Sequence, residues 1–481
     1  MFHFFTIRLF LFSIGVTQVA QVFGQSSVLR SGSWYKVAVE KHGVYKITYD
    51  DFRKMGFDTN VDPRRIQVFG NGGGMLPQAI SVSRPLDLTQ NAIFVSGESD
   101  GTFDKGDFIL FYAEGPDRVN YNVQREIFAY ESNLYSEKNF YFVTIGDADG
   151  KRITVKPNLE GNFSVIQHYD DYVYHELDEH NVLSSGREWF GERFDLNSEK
   201  TFTIPISGIL ENSPIKVVSD VMGQSFSTSS FNLFWNNTLL KNQVIPTIPN
   251  SQYGVKGVHK KDTISLNSTE VNAAVTSTQE IKYQFVKASS GASAGNLDFF
   301  LLNVKRTLEF SEHQILFRSR ESLLHPTSTF SISNTSANCI VWDVTQPSDA
   351  QLQDYTLDGA TTRFSTASDQ LREYIIFDSE VSAPELIGKV ENQNLHGLST
   401  PNLIIVSHPQ FVSEAERLAA HRAQHNSWTT VVVTPDQIFL EFSSGRQDVT
   451  AIRDFVKYLY DKNPDALKSL LLMGKGSYDY K

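Results

Sequence analysis

Between Pro401 and Lys481 three short apolar runs alternate with two amphipathic segments, and few folds accommodate that order. NLIIVSH, TTVVVT and LKSLLLMG are each long enough for one buried strand and too short for a core helix. After the first run, FVSEAERLAAHRAQHN sets Phe411, Val412, Ala415, Leu418 and Ala419 on one helical stripe. After the second, DVTAIRDFVKYLYDKNP opens with Asp448 as an N-cap and sets Val449, Ile452, Phe455, Val456 and Leu459 on one face. Strand, helix, strand, helix, strand is the beginning of a parallel α/β sheet. Ligands of such sheets bind beyond the carboxyl ends of the strands. Those ends are Ser407-His408, Thr434-Pro435 and Gly474-Lys475-Gly476. Parallel sheets are covered on both faces and usually have more than three strands. The pattern therefore predicts a sequence that stops inside this domain, before its site is assembled.

What precedes Pro401 has a different texture. From residue 25 to about 150 the chain reads as a β-rich domain. WYKVAVEKHGVYKITY alternates with Tyr35, Val37 and Val39 on one face, which predicts a hairpin turned at His42-Gly43. Thr48 and Asp51 form a capping pair for a short helix that Gly56 ends. From 151 to about 395, short strands such as KTFTIPISGI, FNLFWNNTLL and REYIIFDS alternate with Ser/Thr/Asn turns. That spacing predicts a β-sandwich or jelly roll. The fold class is thus multidomain: β-rich domains at 25–150 and 151–395, then an α/β unit over 400–481.

The 481 residues are enough for two to four domains. The net charge of −12, from 43 Lys and Arg against 55 Asp and Glu, excludes a nucleic-acid-binding face of the usual kind. At the N-terminus, Arg8 precedes the apolar run Leu9 to Val16, and Val22 and Gly24 fit the −3 and −1 positions of a cleavage site. Residues 1–24 read as a secretory signal peptide, and no later stretch reaches membrane-span length. A single cysteine, Cys339, excludes an internal disulfide framework.

Few groups away from the strand ends suggest chemistry. Asp100, Asp104 and Asp107 lie in ESDGTFDKGDF, where clustered carboxylates suit a structural Ca²⁺ ion, although Asp and Gly are also ordinary turn formers. His421 and His425 share a helix face, but Arg422 stands where a zinc-peptidase motif has Glu, so a solvated face is expected. Cys339 sits in an alternating strand, which predicts a small buried hydrophobe rather than a nucleophile. Gly70 to Gly74 lack the Lys-Ser/Thr of a phosphate loop and read as a flexible β-turn.

SEAERLAAHRAQHN, VVVTPDQIFLEFSSGRQDVTAIRDFVKYLY and LKSLLLMGKGSYDYK resemble the opening of a gingipain-type cysteine peptidase domain. GSWYKVAVEKHGVYKITYDDFRKMG and FDKGDFILFYAEGPD resemble the front of the sorting peptidases in that family, which serve the type IX secretion system of Bacteroidetes. The resemblance implies a caspase-like α/β domain whose Cys and His lie beyond Lys481, so that the chain alone is inactive. It also implies secretion to the periplasm, outer membrane or cell surface. The implied partners are cargo proteins and outer-membrane secretion components, and no cofactor is required. Lys475, Ser477 and Asp479 would rim the substrate pocket. Family members usually carry Gly-Asp-Gly where this sequence has Gly474-Lys475-Gly476, so an ammonium replaces a carboxylate there. The rival reading is a secreted, non-enzymatic β-sandwich module that binds protein or glycan.

Overall fold

The computed structural model describes residues 26–477, 479 and 480, so the signal-peptide reading lies outside the described residues. Four sheets stack face to face. The first is antiparallel and runs Glu385–Val390, Trp34–Val39, Asn139–Ile145, Ile66–Phe69, Gln90–Asn91. The second runs Gly43–Thr48, Phe108–Ala113, Ile93–Val95. Val37, Val39, Ile47, Ile109, Phe111 and Tyr141 fill the space between them. The alternate residues Val44, Leu110 and Tyr112 face the other way and pack against Trp342, Ile375 and Phe377 of a third sheet. On that sheet's far side, Val341, Tyr374 and Ile376 meet Phe330 and Phe364 of a fourth. FILFYA and YIIF are unbroken apolar runs because each of their faces borders a core.

The expected hairpin does not form. Trp34–Val39 belongs to the first sheet and Gly43–Thr48 to the second, so the two strands face each other across the core without pairing. Neither His42 nor Gly43 has the positive φ that a two-residue hairpin turn requires. Alternation fixes which face is buried but not which strand is the neighbour. The helix that follows is as expected: α1, Tyr49–Met55, has a capping box between Thr48 and Asp51 and ends at Gly56 in the left-handed region, φ +82°.

Residues 151–377 build two sandwiches rather than one. The third and fourth sheets form the first, which the chain leaves along His168–Glu176 and re-enters after Ser293–Thr307. Between those strands it builds a second sandwich whose core centres on Phe231, Trp235, Tyr283 and Phe300. Cys339 is buried in the first sandwich, its Sγ 3.5 Å from the amide nitrogen of Ser336, as a packing residue should be.

The last unit is parallel, in the order Thr430–Val433, Leu403–Ser407, Ser469–Met473. α2, Val412–Asn426, covers one face with Ala415 and Leu418. The other face carries α3, Pro435–Phe442, and α4, Val449–Lys462, through Ile438, Phe439, Phe455 and Leu459. The expected pattern had no α3. Its signal, a capping box from Thr434 to Gln437 with Pro435 at the first position, lay hidden behind the strand that it directly follows. Phe411 and Val449, placed on buried stripes by periodicity, are exposed, because each stands at the outer start of its helix. Ser469–Met473 is an edge strand with Leu470 and Leu472 open to solvent, not a buried one.

Candidate active site

The carboxyl ends of the three parallel strands converge as the pattern requires. The His408 amide donates to Met473 O at 2.9 Å, which carries the pairing to the end of the sheet. Ser407 is fully buried and donates from Oγ to His408 O, while His408 Nδ1 accepts from the Gln410 amide and caps the turn before α2. Lys475 and Ser477 follow Met473 and are exposed, and Ser477 Oγ accepts from the amide of the exposed Asp479 at 3.1 Å. The three expected rim residues therefore lie on one loop at this edge. Tyr480 anchors the loop. Its ring stacks on Tyr135 at 5.4 Å, and its carbonyl accepts from Gln447 Nε2 at 2.5 Å.

The base beneath this edge comes from the first β unit, and it is the feature that sequence reasoning missed. The loop between α3 and α4, SSGRQD, is held by the glycine run read as a flexible turn. Arg446 is 3% exposed and donates from Nη1 to Gly72 O and Asn139 Oδ1. Burial pulls its guanidinium below the usual range, with Tyr141, Asp448 and Glu114 opposing. Ser444 Oγ accepts from the Asn71 amide at 3.2 Å. Asp448 uses one carboxylate oxygen to cap α4 at the Thr450 amide and the other to accept from the Leu76 amide, both at 2.8 Å. Arg84 adds an ion pair to Asp454 of α4 at 2.5 Å. Gly70–Gly74 is thus a docking loop. A Cβ on Gly73 would meet the carbonyl oxygens of Gly115 and Asp117 at 2.3 and 2.9 Å.

Between the two units lies a cleft of about 590 Å³ lined by Lys36, Tyr135, Phe140, Asp436 and Gln447 among others. Lys36 donates to Gly445 O at 2.7 Å, and its ammonium stands 3.7 Å from the centre of the Phe140 ring. Burial lowers its pKa to about 8 against the opposing pull of Asp436. On α3 itself, Glu441 is buried and accepts from the amides of Leu395 and His396 and from His396 Nδ1, the last at 2.5 Å. Burial alone would push this carboxyl up. The bonds from His396 and Leu395 outweigh burial and hold it below the ordinary range.

The other candidates are placed as follows. Asp100 accepts from the Thr102 amide, Thr102 Oγ1 bridges Asp100 and Asp104, and Asp107 accepts from the Asp104 amide at 2.7 Å. All three carboxylates shape the turn, and they do not bring three ligand oxygens within 4.8 Å of one another. His421 and His425 stack at 4.1 Å on the exposed face of α2. The sequence's one cysteine lies in a sandwich core, so no thiol stands at the strand ends.

Residues 396–481 match the family profile of Peptidase family C25. The α/β unit is therefore similar to peptidases of that family, over its own residues alone. Beyond it, the chain is similar to PorU from Porphyromonas gingivalis, whose structure was solved as a latent dimer. The match has a TM-score of 0.80 and 27% identity, and covers 95% of this chain and 43% of that one. This chain thus spans less than half the length of that structure. An insecticidal delta-endotoxin from Bacillus thuringiensis aligns with 51% of the chain and 43% of its own at 13% identity, but its TM-score of 0.20 carries no argument. No curated protein matches the chain.

Proposed function

We propose that this chain is the front part of a secreted cysteine endopeptidase that works as a sorting peptidase of type IX secretion, removing C-terminal sorting domains from cargo at the outer membrane. The observation that carries this reading is the similarity to PorU across both the stacked β sheets and the C25 segment. Within such an enzyme these residues supply a platform. The first β unit fixes the loop before α4, and α4 supports the sheet whose carboxyl edge faces substrate. Lys475, Ser477 and Asp479 then contact the substrate polypeptide, with the Lys475 ammonium favouring an acidic group. Nothing in this stretch needs a cofactor to play that part. Among the described residues no helix is long and apolar enough to cross a membrane. The test uses the full-length protein and a cargo that bears a C-terminal sorting domain. The expected result is cleavage that thiol alkylation stops and that Cys339→Ala leaves unchanged. Cleavage indifferent to alkylation, cleavage abolished by Cys339→Ala, or no cleavage would each overturn the proposal.

A further inference from the structure

Three side chains on the outer face of the second sandwich converge without any evident part in the peptidase. Asp220 lies on strand Pro214–Ser225, His259 on Val258–Asn267 and Asp298 on Ser293–Thr307. One ligand atom from each falls within 4.8 Å of the other two, and His259 Nδ1 stands 3.3 Å from Asp220 Oδ1. Donor atoms about 2.1 Å from a tetrahedral zinc ion are about 3.4 Å apart, so modest side-chain closure would make this set a half-built coordination sphere.

A register shift creates the convergence. Asp220 pairs with Phe299 and Val221 with Leu297, which leaves Asp298 as the extra residue of a β-bulge. Leu297 and Phe300 both point into the sandwich core, so Asp298 and Phe299 share the outer face. Without the bulge, alternation would send one of them inward. Bulges re-aim side chains in this way and recur at functional sites. The surroundings leave negative charge in excess. Glu176 and Glu188 stand near, while Lys261 Nζ lies 3.6 Å from Asp220 Oδ2, and the buried Phe190 ring lies 5.3 Å from His259.

We propose that Asp220, His259 and Asp298 bind a divalent transition-metal ion of the zinc class, leaving one coordination position for water or a partner's side chain. One imidazole with two carboxylates suits such an ion better than Ca²⁺ or Mg²⁺, which prefer all-oxygen sets. The experiment is calorimetric titration of the metal-free chain with Zn²⁺ alone. His421→Ala/His425→Ala serves as the background, because that exposed pair can also bind zinc. His259 is exposed and Asp298→Asn keeps its shape, so both variants should fold, which circular dichroism checks. The expected result is one equivalent that persists in the background and weakens at least tenfold in His259→Ala and in Asp298→Asn. An equivalent that keeps its affinity in both variants, or no equivalent left in the background, overturns the assignment.

Discussion

Two cations, Arg446 and Lys36, sit where the C25 segment meets the first sheet, and among the described residues no carboxylate forms an ion pair with either. Each binds a backbone carbonyl, Gly72 O for Arg446 and Gly445 O for Lys36. A buried cation satisfied by carbonyls costs desolvation energy but fixes a position, because any shift leaves it unpaired. Lys36 gives this a pH signature. Its folded pKa of about 8 lies below the ordinary lysine value of 10.5, so the folded state disfavours the charged form. That cost is fully present below pH 8 and is relieved as pH rises from about 8 to 10.5. Lys36 should therefore add a rise of stability with pH across that window, at most about 1.4 kcal/mol per pH unit. Urea unfolding of the wild type and of Lys36→Met at several pH values checks this. The difference between them should grow more favourable to wild type with pH, and a constant difference would mean that the ammonium is not desolvated.

At the scale of elements, local chemistry was legible and partnership was not. Thr48, Asp51 and Gly56 announce α1, and Asp448 announces α4, because capping depends on neighbours in sequence. The three parallel strands are legible for a similar reason: runs such as LIIVS and TVVV have no polar face to offer solvent. The hairpin failed because its two strands show the same alternation whether they pair or face each other. The candidate site divides in the same way. Its strand ends could be read from the pattern, but its base could not, since Gly72, Asn139 and Arg446 meet across more than 300 residues. The glycine run illustrates the limit. Composition showed a tight backbone, and only packing shows what is pressed against it. Gly101 and Gly73 should therefore respond differently to Ala. Gly101 has φ +81° and nothing within 4 Å of an added Cβ, so only backbone strain opposes the change, about 1 kcal/mol. Gly73 would drive its Cβ into two carbonyls, an overpacking cost of about 2 kcal/mol or more. Urea midpoints of the two variants decide it, and a Gly73→Ala no costlier than Gly101→Ala would return the loop to an ordinary turn.

Across the whole molecule, four stacked sheets share cores through strands buried on both faces, and the parallel unit is bolted to one end of that stack. Asp448 joins the two parts with one carboxylate, capping α4 and binding the Leu76 amide. Arg84 and Asp454 close the same seam from its rim. Such a joint lets the β domains set the position of the parallel sheet's carboxyl edge, which suits a chain similar to PorU along nearly its whole length. Everything proposed for the site depends on the two parts acting as one body through Arg446. Hydrogen exchange of the chain and of Arg446→Met tests that directly. The expected result is a joint loss of protection in residues 70–76 of the first unit and 443–455 of the C25 segment, with the second sandwich, 193–307, unchanged. Loss confined to 443–455, with 70–76 still protected, would contradict it and make the contact a passive one.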